Sequence, residues 1–353
     1  MLRTMTTAAT KRFLRVQYAS DLHLELVDKT PFQPILKPNA PILALAGDIG
    51  RPDRRSYEDF LHYCSRNWAA VFVIAGNHEF YNSKSADKWR YIPHESVHTV
   101  DQRLAMCEAV AAKFPNVQFL NRRRVDYGGV AFLGATLWSD TRGVEHEAWR
   151  MNDYNMIAAY SADHDGFPDP LTVADTQKWH ERDRAWLTSE IAACEEVGQP
   201  AVILTHHLPT FGLVASKYAG HSDMNRYFAS ACDGLIREPV RAWIAGHSHA
   251  GRMIHCSAAG GRTITCTLNP RGYPGECDTG FCPELFMVVD TEKGRGVDAR
   301  EPALVRAATE YGLLEASMAE RSHQGNGVTE EEATAAPPAS RSRAESSQSL
   351  EWV

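Results

Sequence analysis

None of the eight cysteines, at positions 64, 107, 194, 232, 256, 266, 277 and 282, forms a C-x-x-C pair. Thiols scattered this widely through a long chain make neither a zinc ribbon nor a small disulfide framework. They read as reduced, mostly buried side chains of a cytoplasmic protein. Long apolar runs are missing too. The longest cover about seven residues, as in Ala69–Ala75, against the roughly 20 that a membrane-spanning helix needs. Positive charge is in short supply: the formal net charge is -7, so nucleic acid would have to find a local basic patch. "RRR" at Arg122–Arg124 is the one candidate, and next to "VDYGG" it reads as a solvated turn. There is no internal repeat, and nothing bears on oligomeric state.

What is present suits a large core: 44% of the 353 residues are apolar. Short β-branched runs recur at 13–19, 42–46, 71–75, 130–137, 201–204, 241–245, 263–268 and 285–289. Helical spacing fills Tyr57–Trp68, Val97–Phe114 and Thr176–Val197 between them. Alternation of this kind predicts an α/β fold with a helix-covered sheet. The expected division is a flexible tail over 1–12, one domain over 13–292, a helical extension over 293–316 and a disordered Ala/Ser/Glu-rich tail over 317–353. Inside the domain, 139–175 follows no period and reads as a lid or binding loop.

Five strands each deliver a metal-ligand residue type just past the carboxyl end. "VQYAS" runs into Asp21 and His23, "LALAG" into Asp48, and "VFVIAG" into Asn77, His78 and Glu79. "AVILT" runs into His206 and His207, and "AWIAG" into His247 and His249. That edge is where ligands bind in open α/β sheets. Oxygen and imidazole donors without thiolates suit Mn, Fe or Zn rather than a structural cysteine site. Glycines 47, 76 and 246 let the next residue approach an ion closely. The nine histidines outside these motifs read as ordinary core or surface residues.

In order and spacing, D-x-H, G-D, G-N-H-E, H and G-H-x-H resemble the calcineurin-like metallophosphoesterase family across roughly residues 13–290. "NPRGYPGE" (Asn269–Glu276) looks like an uncharacterised bacterial-type branch of it. The resemblance implies a four-layer αββα sandwich of two mixed β-sheets flanked by helices, with two divalent ions (Mn, Fe, Zn or Ni, Mn favoured). Asp21, His23 and His249 would hold one ion, Asn77, His206 and His247 the other, and Asp48 both. A water between the ions would be the nucleophile and His78 the general acid. Further residues expected to face substrate are His207, Asn152, Asp153, Arg271 and Tyr273. The implied activity is hydrolysis of a small phosphodiester or phosphomonoester, the diester favoured. After Asp48 the chain reads "IGRPDR" rather than the "xVDRG" of protein Ser/Thr phosphatases, so a phosphoprotein pocket is not supported. The alternatives are a nuclease of the same superfamily and a non-catalytic scaffold on this fold.

Overall fold

Each of the eight apolar runs coincides with a strand to within two residues. The computed structural model describes residues 13–27, 34–161, 168–258 and 263–291; the segments expected as tails and extension, 1–12, 293–316 and 317–353, lie outside them. In chain order the strands are β1 (Phe13–Ala19), β2 (Ile42–Ala46), β3 (Ala70–Ile74), β4 (Val117–Phe119), β5 (Arg123–Tyr127), β6 (Val130–Ala135), β7 (Ala158–Ser161), β8 (Pro168–Pro170), β9 (Ala201–Thr205), β10 (Val240–Ala245), β11 (Arg252–Ser257), β12 (Thr263–Leu268) and β13 (Phe286–Asp290). The helices are α1 (Arg55–Asn67), α2 (Val100–Ala111), α3 (Asp153–Met156), α4 (Val173–Val197) and α5 (Ser222–Asn225).

Two mixed sheets result. One has the order β13-β1-β2-β3-β4 and the other β11-β12-β10-β9-β6-β5. β1 to β4 run parallel with β13 antiparallel, and β12, β10, β9 and β6 run parallel between antiparallel β5 and β11. Side chains alternate between layers, as the strand period demands. From β2, Ile42, Ala44 and Ala46 enter the layer between the sheets with Phe72, Phe132 and Ile244, while Leu43 and Leu45 join Tyr57, Phe60 and Cys107 beneath α1 and α2. On the far side Ile203 and Trp243 pack with Leu187 and Ile191 of α4. Both faces of the central strands are covered, which is why they read as unbroken apolar runs. Stacked Phe72 and Phe132, with centroids 4.2 Å apart, join the sheets, as does the hydrogen bond between the Tyr18 and Thr267 hydroxyls at 3.0 Å.

Two expectations need correction. "RRR" is not a turn: Arg123 and Arg124 lie in edge strand β5, and the turn is Gly128–Gly129, both with positive φ, leading into β6. Arg122 pairs with Asp183, Arg123 with Glu108, and Arg124 with Asp126 and Glu190. The stretch 139–175, expected to be irregular, holds a 3-10 turn at Glu145–Arg150, then α3, β7 and β8, and the start of α4. α4 begins three residues before the expected Thr176 because Thr172 and Asp175 form a capping box there.

Candidate metal centre

The parallel strands of both sheets end at one edge, and the turns after them are forced into a tight space. Asp21, His23, Asp48 and His247 all adopt left-handed backbone, with φ of 53°, 47°, 53° and 68°. For residues with a Cβ this costs on the order of 1–3 kcal/mol each, and it persists only where the surroundings impose it. Gly76 shows how close the turns approach: a Cβ there would lie 2.2 Å from the Asp48 carboxylate and 2.7 Å from the His206 ring.

The side chains gather in three groups, in each of which one ligand atom per residue lies within 4.8 Å of the rest: Asp21, His23 and His249 form the first, Asp48, His206 and His247 the second, and His23, Glu25 and His78 a third that shares His23 with the first. Asp48 stands between the first two, Oδ2 being 3.9 Å from His23 Nε2 and 3.3 Å from His206 Nε2. Asn77 Oδ1 is 3.0 Å from His206 Nε2. In the first group the Nε2 atoms of His23 and His249 face each other at 3.0 Å.

These residues fit divalent cations. His206 Nδ1 donates to the Ala46 carbonyl at 2.9 Å, which leaves the Nε2 lone pair aimed inward. The Nδ1 atoms of His23 and His249 are likewise held outward, by Glu25 at 3.3 Å and by Glu276 at 2.8 Å. Asn77 Nδ2 donates to Asp153 at 2.8 Å, so its oxygen is the atom presented to the cluster. His247 Nε2 is buried with no hydrogen-bond partner among the described residues. His23 and His249 can share one proton between their Nε2 atoms, but the orphaned buried His247 nitrogen is costly without a partner such as a cation. The charges agree. Burial disfavours a charged His206, but Asp48 and Asp21 outweigh it and raise the ring to about 9. The group thus holds buried carboxylate charge that seeks a positive partner.

His78 sits beside the first group, a ring nitrogen lying within 4.8 Å of ligand atoms of His23 and Glu25. Its backbone N–H donates to Asp48 Oδ1 at 2.8 Å. Its Nδ1 meets Glu25 Oε1 at 2.9 Å and its Nε2 meets the Tyr273 hydroxyl at 3.0 Å. Burial lowers its affinity for a proton, and Asp48 and Glu25 more than restore it, so the ring lies above the ordinary histidine value. Cations at Asp48 would offset that carboxylate's part and leave Glu25 as the steady partner.

The other expected residues take different places. His207 is buried, with Nδ1 on Ser139 at 2.8 Å and its ring 4.2 Å from that of His247. Asp153 lies behind Asn77 and also accepts from the Tyr81 hydroxyl at 2.6 Å. Arg271 donates to the Leu22 carbonyl at 2.9 Å. Asn152 and Tyr273 line a cavity of about 360 Å³ that opens from the cluster and also reaches Asp48, Asn77, His78 and His249. Glu79 accepts from four backbone N–H groups, those of Gly76, Asp48, Ile49 and Gly50, tying the two turns together. Glu25 and Glu276 escaped the sequence reading. Glu25 continues the alternation Asp21, His23, Glu25, a signal readable in hindsight; Glu276 closes the quoted "NPRGYPGE" stretch.

Two helix-flanked mixed sheets with carboxylate and imidazole clusters at the strand ends define a metallophosphoesterase. A model of the calcineurin-like phosphoesterase family matches residues 15–251. The chain belongs to that family, a family of hydrolases of phosphoric esters that work with two metal ions. An uncharacterized protein of Acanthamoeba polyphaga mimivirus is 29% identical over 294 residues, covering 78% of this chain and 96% of that protein. Among solved structures, phosphopantetheinyl hydrolase from Mycobacterium tuberculosis shares the fold, with a TM-score of 0.53 and 18% identity over 74% of this chain and 91% of that one. A dimetal phosphatase from Danio rerio aligns at 0.41, with 13% identity over 78% and 92% of the two chains. No helix among the described residues is long and apolar enough to cross a membrane.

Proposed function

We propose that the chain hydrolyses a small phosphoester with Asp21, His23 and His249 on one divalent ion, Asn77, His206 and His247 on a second, and Asp48 on both. The observation that carries this reading is the position of Asp48 within 3.9 Å of one ligand group and 3.3 Å of the other. When bound, two such ions acidify water and neutralise phosphoryl charge. The donors, oxygen and imidazole nitrogen only, suit Mn, Fe, Zn or Ni, of which manganese is our first choice.

The chain's own residues do the rest. Glu25 fixes His78 through Nδ1, so the exchangeable proton sits on Nε2, facing the cavity beside Tyr273. From there it can pass to the departing oxygen. Asp153 orients Asn77, and Glu79 holds the backbone on which Asp48 turns. Among the described lining residues Arg150 is the one guanidinium, and a single paired cation gives no clamp for a dianionic monoester, which favours a diester. The low positive charge of the chain argues against a nuclease.

The test is a phosphoester panel run on metal-stripped protein with Mn, Fe, Zn or Ni restored singly. Asp48→Ala and His78→Ala are each expected to lose at least about 100-fold in turnover; wild-type rates in both variants would refute the assignment.

A further inference from the structure

A phosphoesterase reading leaves open what the phosphoryl group is esterified to, and a second set of lining residues bears on that. Besides the polar cluster, the cavity is lined by Met151, Val214, Tyr218, Met224 and Phe228. None of these comes from either large sheet. Met151 follows the turn Glu145–Arg150, and the others lie in the run of short turns between β9 and β10. Met151, Met224 and Phe228 belong to a small core of their own, in which Val144, Met151, Met224 and Tyr227 are buried and Ala148, Tyr154 and Phe228 pack against them, while Val214 packs on the core beneath α4. The Tyr227 hydroxyl donates to the Val144 carbonyl at 2.7 Å, fastening the two segments together. An apolar cluster separate from the sandwich cores, with one side on the cavity, makes a preformed wall. That wall reaches the ligand cluster, since the Phe228 ring stacks on His247 at 4.6 Å.

The positive charge of the wall is small. Arg150, the one guanidinium among the described lining residues, is already held by Glu147 at 3.1 Å. A second phosphate on the substrate would meet no unclaimed cation there. The cavity volume of about 360 Å³ lies at the lower end of the roughly 300–1,000 Å³ common for small-molecule sites.

Resting on the phosphoesterase reading, we infer that the cavity takes a phosphate ester whose leaving alcohol carries an uncharged apolar or aromatic group, lodged against Met151, Met224 and Phe228. In the reaction water oxygen bonds to phosphorus, the ester P–O bond breaks, and the alcohol leaves with a proton. Nucleoside diphosphate conjugates, which bring a second phosphate, are then poor substrates.

Benzyl and methyl alcohols are of closely similar acidity, so their esters separate fit from leaving-group chemistry. With metal-loaded full-length protein, benzyl methyl phosphate is expected to exceed dimethyl phosphate by about tenfold or more in kcat/KM, mostly through KM. Benzylphosphonate should likewise inhibit about tenfold more tightly than methylphosphonate, a comparison that needs no variant. Met224→Gln should reduce both ratios to within about threefold of unity. Turnover with equal rates and equal inhibition for benzyl and methyl compounds overturns the proposal and leaves the phosphoesterase reading intact. No turnover of any ester with any metal sinks both.

Discussion

At the scale of single residues, the reactive pieces depend on carboxylates that hold the clustered imidazoles by their Nδ1 atoms. Burial alone would raise the Glu25 carboxyl, yet contacts with His23 and His78 hold it down to about 2. It therefore stays ionised across the working pH range and orients two imidazoles at once. Glu25→Gln keeps the shape and removes the charge, so turnover should fall about 10–100-fold and ion content should drop with it, since groups behind the ligands contribute on that order. Full turnover with full metal content, measured by elemental analysis, would show that His78 needs no charged partner. The clustered residues themselves were legible because metal chemistry restricts side-chain types and strand ends restrict positions. Glu25 and Glu276 were harder to see, and Asp153, expected against the substrate, lies behind Asn77, since a carboxylate that orients an imidazole or amide is indistinguishable in sequence from one facing water. Two adjacent imidazoles left another choice open. The structure brings His206 into the cluster and puts His207 on Ser139.

At the scale of elements, the loop after β2 is tied to α2 through Asp53. Its carboxylate meets Arg51 at 2.6 Å and the fully buried Arg103 at 2.8 Å. Burial raises the Asp53 pKa, but the two guanidinium groups overcome it and hold the group at about 2 against an ordinary 3.8. A carboxyl that is more acidic folded than unfolded contributes stability above its unfolded pKa and loses it as pH falls toward the folded one. Nearly two units at 1.36 kcal/mol each, discounted because the pair is partly solvated, gives about 1–2 kcal/mol. Asp53→Asn should cost that much in urea unfolding at pH 5–7, and the gap to wild type should close as pH drops from about 4 to 2. A gap that persists unchanged at the acid end would mean the pairing is not the source. Elements with a repeating apolar period were readable from sequence. β4, β5 and β11 were not: β4 is only three residues long, and edge strands carry charged side chains whose pattern resembles a loop.

At the scale of the molecule, neither sheet supplies all of the clustered donors. Asp21, His23, Asp48 and Asn77 follow strands of the five-stranded sheet, and His206, His247 and His249 follow strands of the six-stranded one. Ions held between them would tie the sheets at one edge, where the left-handed turns are under strain. At free metal about 100 times the dissociation constant, one ion adds about 2.7 kcal/mol. For a domain of this size that corresponds to roughly 5–10 °C in Tm. Chelation should lower the melting temperature by that amount and restoring Mn should recover it; a Tm indifferent to chelator would mean that no ion bridges the sheets.

The path of the chain between the sheets has a separate consequence. It leaves the first sheet once, between Phe119 and Arg123, and returns only with β13. A cut in that short crossover would yield two polypeptides, each with an incomplete set of donors. Metal retention by the mixed fragments, absent from either alone, would then act as a reporter of reassembly, and the crossover would be the natural place to build a split version of the protein.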